Sequence, residues 1–453
     1  MTTTIDKPKV LIVGAGLGGL MLGALLEKVG IPYTIFERTT TVKPLGSAMF
    51  IAAPMLTLLA QLEILNEFVA ISKELSTYST NREVEGPFST LDYSTMEAIT
   101  GYPGYIVSRP IFYDLLLKQI PTNKILFGRR VINILEKESK VMVQTADNRI
   151  FEGDILVGAD GAYSTVRQSM FETLKQQARL PKTDQEDLPF SCTCLIGQTR
   201  PLNPEEFPVL KEDRSRFAWM VLHHLEKSTS RAAMEQKFKS NDNSEWTNNT
   251  AAAICAETRD IVLPIVGLGE NGNSNRTLTI GDLIDRTDRE FISKVMLEEK
   301  IFSTWSSGRT VLLGDACHKL HPAAGQGAVN AVQDAVVLAN LIYTLPSTSS
   351  SDITTMFKEY QDERMGPVQA CFKNSQISSK MMAKGFSGAL ARFIFGHMPD
   401  WLWRLKLIAA SRYAPSVGFL KRPEVKKGAV VPDESSSADK ARALFEKRQA
   451  AVV

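Results

Sequence analysis

Apolar residues at 10–13 form a short unbroken run that ends in glycines, and over 17–29 they recur at helical spacing until Gly30. Residues 33–37 alternate and close on an acid, so the chain opens as strand, turn, helix and strand, a βαβ unit. A leucine-rich helical stretch runs within 46–64, the pattern weakens over about 71–103 as polar residues intrude, and a helix is predicted over 110–120. Residues 125–157 read as β-structure, clearest at 141–145 and 155–157, with Ala146, Asp147 and Asn148 as a turn between them. Strand-like runs at 217–222 and 260–266 flank a polar tract, 226–250. Residues 310–314 are again a short apolar strand, entering a glycine-rich turn and a long helix. A Pro- and Ser-rich linker at 345–352 leads to a helical region containing 381–395 and 401–407, and the charged last twenty residues read as a mobile tail. No internal repeat is visible.

At 453 residues the chain exceeds the roughly 250–300 residues at which one core stops growing, so more than one packed unit is expected. Hydrophobic residues at 44% and charged ones at 23% argue against wholesale disorder, and a net charge of +2 supplies no field for a nucleic acid. The five cysteines, at 192, 194, 255, 317 and 371, include no CxxC pair, which argues against a disulfide framework or a zinc site and for a reducing, cytoplasmic setting. The polar start MTTTIDKPKV has no basic n-region or small-residue cleavage site, so no secretory signal is expected, and the sequons at Asn249 and Asn275 read as chance matches. Arg392, Arg404, Lys406 and Arg412 interrupt every apolar stretch long enough to span a bilayer. Residues 381–420 mix aromatic and basic side chains as interfacial helices do, so peripheral membrane contact stands beside the preferred reading of helices packed on the core.

Chemistry enters with Gly14, Gly16 and Gly19, a GxGxxG between strand and helix that lets backbone approach a pyrophosphate at the positive helix end. Glu37, at the end of the second strand, is placed to accept hydrogen bonds from an adenosine ribose. This motif alone does not separate FAD from NAD. Two further motifs follow: ILVGADGAYSTVR at 155–167, with Asp160 and Gly161 after a buried strand, and GRTVLLGDACHKLHPAAGQGAVNAVQDAVVLANLI at 308–342, with Asp315 in its Gly-Asp turn. Taken singly, Asp160 or Asp315 could equally cap a helix or start a turn.

In this order the three motifs resemble those of FAD-dependent monooxygenases of the aromatic-ring hydroxylase family, the para-hydroxybenzoate hydroxylase type, over about residues 8–66, 105–170 and 280–342. The style is closest to fungal natural-product monooxygenases. The resemblance implies that FAD is bound, with Asp160 touching its pyrophosphate region and supporting NADPH use, and Asp315 holding ribityl hydroxyls. It also implies cofactor contacts from Arg38 beside Glu37, from Arg109 in VSRPIFYDLLL, and from Gly46, Ser47 and Ala48 bordering the flavin. Pro322 matches the proline beside the flavin ring, and Gly325, Gln326, Gly327 and Ala328 begin a helix facing its carbonyl. Val329 stands where the family often has Asn, with Asn330 one place later, and Gln333 replaces a usual Glu.

The resemblance therefore implies an α/β fold: a Rossmann-like FAD-binding domain (7–75, 101–185 and 286–345), interleaved with a β-sheet substrate domain (76–100 and 186–285), a helical region (352–428) and the tail (429–453). It implies a monooxygenase consuming NADPH or NADH, which hydroxylates or epoxidises an electron-rich aromatic, indole or isoprenoid-like small molecule through a flavin hydroperoxide. Because the cofactor carries the hard chemistry, no catalytic side chain is expected. His318, His321, His223 and His224 lack ligand partners and are read as structural. An oxidase or reductase on the same scaffold is the main rival. A halogenase is disfavoured, since the WxWxIP signature is missing and Trp401 and Trp403 come too late and lack Ile-Pro.

Overall fold

The computed structural model describes residues 7–451 except 42–47, 76, 83–85, 187, 189, 204, 208–216, 225–254, 269–274, 290–291, 322–324, 383–385, 425–427, 431 and 434. Its central sheet has the strand order Ser306–Ser307, Thr310–Leu312, Ile155–Gly158, Val10–Val13, Tyr33–Phe36, Ile125–Leu126. All neighbours are parallel except the first pair. Strands covered on both faces must be apolar throughout. Val10, Leu11 and Ile12 are fully buried, as are Ile155, Leu156 and Val157.

Side-chain parity separates the two covers. Ile35, paired with Ile12, meets the helix Leu17–Lys28 where that helix carries Gly23. On the opposite parity, Leu11 lies against Gly153 and Phe36 packs edge-on to Phe151 at 4.9 Å. The second cover is therefore the antiparallel sheet Val131–Glu136, Val141–Thr145, Ile150–Gly153. The helix Gly327–Thr344 lies beside Leu17–Lys28, close enough that a Cβ on Gly18 would sit 3.2 Å from the Ala331 carbonyl.

A second sheet has Phe190–Gln198 at its centre, antiparallel to both Ala218–His224 and Ile292–Glu298. Val262–Leu268 and Asn275–Thr279 form a hairpin. Residues 286–345, expected to belong wholly to the cofactor unit, are thus divided: Ile292–Glu298 joins the second sheet, and the first sheet resumes at Ser306. A strand whose partners lie a hundred residues earlier leaves no local mark of the sheet it enters. The polar tract 226–250 lies outside the described residues.

The C-terminal region is helical, led by the 33-residue helix Ser350–Met382 with Pro367 inside it. The charged end of the chain departs from its reading as a mobile tail: Ser436–Ala450 is a helix, with Ser437, Ala438 and Ala441 buried. Ser437 donates to Glu363 from both its N–H (2.9 Å) and its hydroxyl (3.1 Å), and the Arg448 guanidinium lies over the Tyr343 ring. Its fully buried residues are Ser and Ala, with Phe445 partly buried against the core, so composition reads as solvated while the small residues permit close packing. Ala441→Glu is expected to destabilise the protein by about 3 kcal/mol or more, because an unpaired charge enters a closed contact, whereas Glu446→Ala at an exposed position changes it by less than about 0.5 kcal/mol. Thermal unfolding of the two variants checks this; equal melting points would contradict the packing.

Candidate active site

Three turns meet at the carboxyl ends of neighbouring parallel strands, the position where open α/β sheets take ligands. Gly14 follows Val13, Ala159 follows Gly158, and Leu313 follows Leu312; the Ala159 N–H donates to Val13 at 2.8 Å and the Leu313 N–H to Gly158 at 2.9 Å. Gly14 has φ +106°, and a Cβ there would lie 2.4 Å from the Ala159 carbonyl. A Cβ on Gly19 would lie 2.1 Å from the Gly14 carbonyl. These two glycines are needed for packing. Gly16, at the N-cap of Leu17–Lys28, differs: a Cβ there would meet nothing within 4 Å, so the helix N-terminus opens onto free space.

Glu37 borders that space. One carboxylate oxygen accepts from the Ala15 N–H at 3.0 Å, and the other accepts from the Thr39 N–H and hydroxyl at 3.0 and 2.9 Å. The acid at the end of the second strand is thereby fixed to the glycine turn. Arg38 is exposed. Ala48 pairs with Ser108 across antiparallel strands, which brings it beside Arg109, the exposed first residue of the helix Arg109–Leu117. Gly46, Ser47 and Pro322 lie outside the described residues.

In the second turn the Asp160 carboxylate caps the helix Thr165–Gln176, accepting from the N–H groups of Thr165 (2.6 Å) and Val166 (3.2 Å) and from the Ser164 hydroxyl. Burial raises its pKa above the ordinary range despite those bonds. Gly161, at φ +81°, again has open space where a Cβ would be. Arg167, buried, joins this turn to the third: it donates to the Ala316 carbonyl at 2.7 Å and to the Ala162 carbonyl at 2.6 Å. In the third turn Asp315 is half-buried and accepts no hydrogen bond from the described residues. The nearest heavy atom to a Cβ built on Gly327, the first residue of the long helix, is an Asp315 carboxylate oxygen at 3.9 Å. Gly325, at φ +63°, and Ala328 complete this side.

Beneath the third turn lies a buried network in which Asp334 and Arg364 were not anticipated. Asp334 accepts from the Gly314 N–H at 2.9 Å, from His318 Nε2 at 2.6 Å and from Arg364 Nε at 2.6 Å, and all three side chains are essentially inaccessible. Burial alone would raise the Asp334 pKa, but His318 and Arg364 outweigh it and hold it at about 2. Arg364 also donates to the Asn330 side chain at 2.9 Å. The one signal for Asp334 was an acid inside the apolar helix run VQDAVVLAN; Arg364 sits in EYQDERMGP, which carries none. The Cys317 thiol, pushed well up by burial, has its sulfur near His318 and Asp334. This trio is a poor cation site, because both Asp334 oxygens are already taken and a guanidinium stands beside them. His318 is thus structural, its ring 5.3 Å from that of Trp305, and His321 is buried. His223 and His224 pair with Thr193 and Cys192 in the second sheet. A cavity of about 400 Å³ lined by Glu136, Met170, Ser307 and Thr310 includes none of the glycine-turn residues.

The site joins a helix N-terminus open to an anion, a carboxylate beside it, and an acceptor carboxylate at the third turn, a set suited to a dinucleotide. Comparison with known proteins agrees. The model of the FAD binding domain family matches residues 7–255 and 277–375, and the chain belongs to that family. Curated relatives include the FAD-dependent monooxygenase paxM of Penicillium paxilli, 28% identical over 82% of this chain and 78% of its own, and atmM of Aspergillus flavus, 26% identical over 92% and 88%. Among solved structures, Klebsiella pneumoniae HpxO complexed with FAD and uric acid superposes with a TM-score of 0.64 at 17% identity, covering 89% of this chain and 96% of its own. The tetracycline destructase Tet(51) has a TM-score of 0.63 at 15% identity, covering 90% and 98%. The protein is a flavoprotein monooxygenase with an FAD-binding fold.

Arg364→Met leaves the buried Asp334 carboxylate short of a cation and is expected to cost about 3–5 kcal/mol. The folded pKa of Asp334 (about 2) lies below the ~3.9 of an unfolded aspartate. Its stabilisation is therefore complete above about pH 4 and lost as pH falls towards 2. Denaturant midpoints from neutral to acid pH should show this acid dependence reduced in Asp334→Asn; an unchanged acid limb would contradict the assignment.

Proposed function

We propose that the chain holds FAD across the three turns and uses a reduced nicotinamide, NADPH or NADH, to insert one oxygen atom of O2 into an electron-rich small molecule. The observation that carries this reading is the open N-terminus at Gly16, with the Glu37 carboxylate at the adjacent strand end and the Asp315 carboxylate two strands away on the other side. The pyrophosphate would lie over Gly16, where backbone N–H groups and the helix dipole favour an anion. Glu37 would take an adenosine ribose hydroxyl on the oxygen that accepts only from Ala15, since the other already accepts twice from Thr39. Arg38, Ala48 and Arg109 would flank that half of the cofactor. Asp315 would accept from ribityl hydroxyls, and Gly325, Gly327 and Ala328 would present the long helix's N-terminus to the flavin ring. Asp160 acts here by capping its helix and so positioning Gly161.

When bound, FAD accepts hydride from the nicotinamide and delivers electrons to O2. The protein's own task is to bind, orient and exclude water, which explains why no side-chain nucleophile or base is needed at the turns. The second sheet and its hairpin would form the substrate unit, taking an aromatic, indole or isoprenoid-like molecule. Glu298 links that sheet to the cofactor turns, accepting from Lys319 at 3.0 Å and from the Tyr163 hydroxyl.

Asp315→Ala removes charge-assisted hydrogen bonds worth about 1.5–3 kcal/mol, so FAD affinity should fall by roughly 10- to 150-fold. Flavin fluorescence quenching on titrating apoprotein measures this, and unaltered affinity would remove Asp315 from the site. Substrate-stimulated NADPH consumption in air, with phenols or prenylated indoles offered, tests the reaction. A flavin that NADPH does not reduce with substrate present would favour an oxidase.

A further inference from the structure

Two short helices, Phe386–Gly396 and Asp400–Arg412, expose large apolar side chains that nothing in the described structure covers. On the first, Leu390, Phe393 and Ile394 are 49%, 62% and 57% exposed; on the second, Trp401 and Leu405 are 64% and 51% exposed. The spacings i, i+3, i+4 and i, i+4 put each set on one helical face. These are not inward faces left loose. The second helix already uses its other side: Leu407 is buried with Met96 and Ile99, and Trp403 packs edge-on to Tyr93 at 5.9 Å. Its outer apolar residues are therefore surplus to folding.

The charge around them is one-sided. Between 386 and 412 the sequence carries Arg392, Arg404, Lys406 and Arg412 against the single acid Asp400, and Arg404 and Arg412 are exposed. Arg412 lies seven residues after Leu405, two turns along the same face. Helices of 11 and 13 residues reach about 20 Å at ~1.5 Å per residue, well short of a ~30 Å hydrocarbon core. Among the described residues no helix is long and apolar enough to cross a membrane. Aromatic and aliphatic side chains beside basic ones, on helices too short to span, match a surface lying at the headgroup boundary. We propose that Phe386–Gly396 and Asp400–Arg412 dock the protein on an anionic lipid surface, inserting Phe393, Ile394 and Trp401 while Arg404 and Arg412 meet the headgroups.

The test is co-sedimentation of the full FAD-bound chain with vesicles of phosphatidylcholine containing phosphatidylserine, and with phosphatidylcholine alone. The expected result is binding to the anionic vesicles that weakens as salt is raised. Replacing Phe393, Ile394 and Trp401 together by Ser should lower that binding by at least about tenfold. Arg404→Glu with Arg412→Glu should lower it by about tenfold or more on anionic vesicles and leave neutral ones unaffected. All five positions named are exposed, so the yellow flavin spectrum and melting point should be kept, which separates this test from the FAD reading. Absence of binding to either vesicle, or binding that both variants retain, would overturn the proposal. So would light scattering that shows an oligomer dissolved by the Ser variant without vesicle binding, since the surface would then join copies of the chain.

Discussion

The third turn depends on one buried carboxylate. Asp334 projects from the helix Gly327–Thr344 and accepts the Gly314 N–H, so it fixes the backbone immediately before Asp315. Burying that charge is costly unless it is paired, and Arg364, from the helix Ser350–Met382, supplies the pair. The C-terminal helical region thus does more than cover the core: without Arg364 the acid that orders the Gly-Asp turn would, among the described residues, keep His318 as its one ionisable hydrogen-bond partner. Tyr360, one turn before Arg364, donates to the Leu312 carbonyl at 3.1 Å and anchors the same helix to the strand that feeds the turn.

The second turn is tied to the third by Arg167 and not by its motif acid. The Asp160 carboxylate accepts from its own helix and that helix's N-cap Ser164, while Arg167 reaches two carbonyls, one in each turn. A guanidinium suits this task because its planar fork can serve two acceptors in fixed directions. Arg167 therefore adds a side-chain link to the strand pairing between segments that lie some 150 residues apart in the chain, and its cost of burial is met by carbonyl oxygens and by its place over the Phe302 ring at 4.3 Å.

What was legible in the sequence is what local chemistry determines. The strand Val10–Val13, the glycines after it, and the turns at Asp160 and Asp315 declare themselves through short apolar runs, Gly positions and polar punctuation, and the three motifs in order carried the family. The end of the chain reads as mobile because charged residues recur through it, although Ser436–Ala450 buries Ser437, Ala438 and Ala441 and packs Phe445 against the core. The placing of 286–345 wholly in the cofactor unit does not foresee that Ile292–Glu298 enters the second sheet, because partner choice across a hundred residues has no local signature. Asp334 and Arg364 were missed for the same reason, since neither residue's role exists until two helices are brought together.

The contrast between the glycines sharpens how the site works. Gly14 and Gly19 are excluded from bearing a side chain by backbone already present, so they would be required even of a protein with no ligand. Gly16, Gly161 and Gly325 have nothing near the missing Cβ. At Gly161 and Gly325 the positive φ (+81° and +63°) is itself a reason for glycine, whereas Gly16 has an extended conformation any residue can adopt, so there folding alone gives no steric reason for a bare backbone. A ligand approaching the backbone does give such a reason, and Gly16 lies in the turn after Val10–Val13. Gly16, more than the crowded glycines, therefore supports the proposal that a cofactor runs over this turn, and the crowded ones show how closely the backbone beneath is packed.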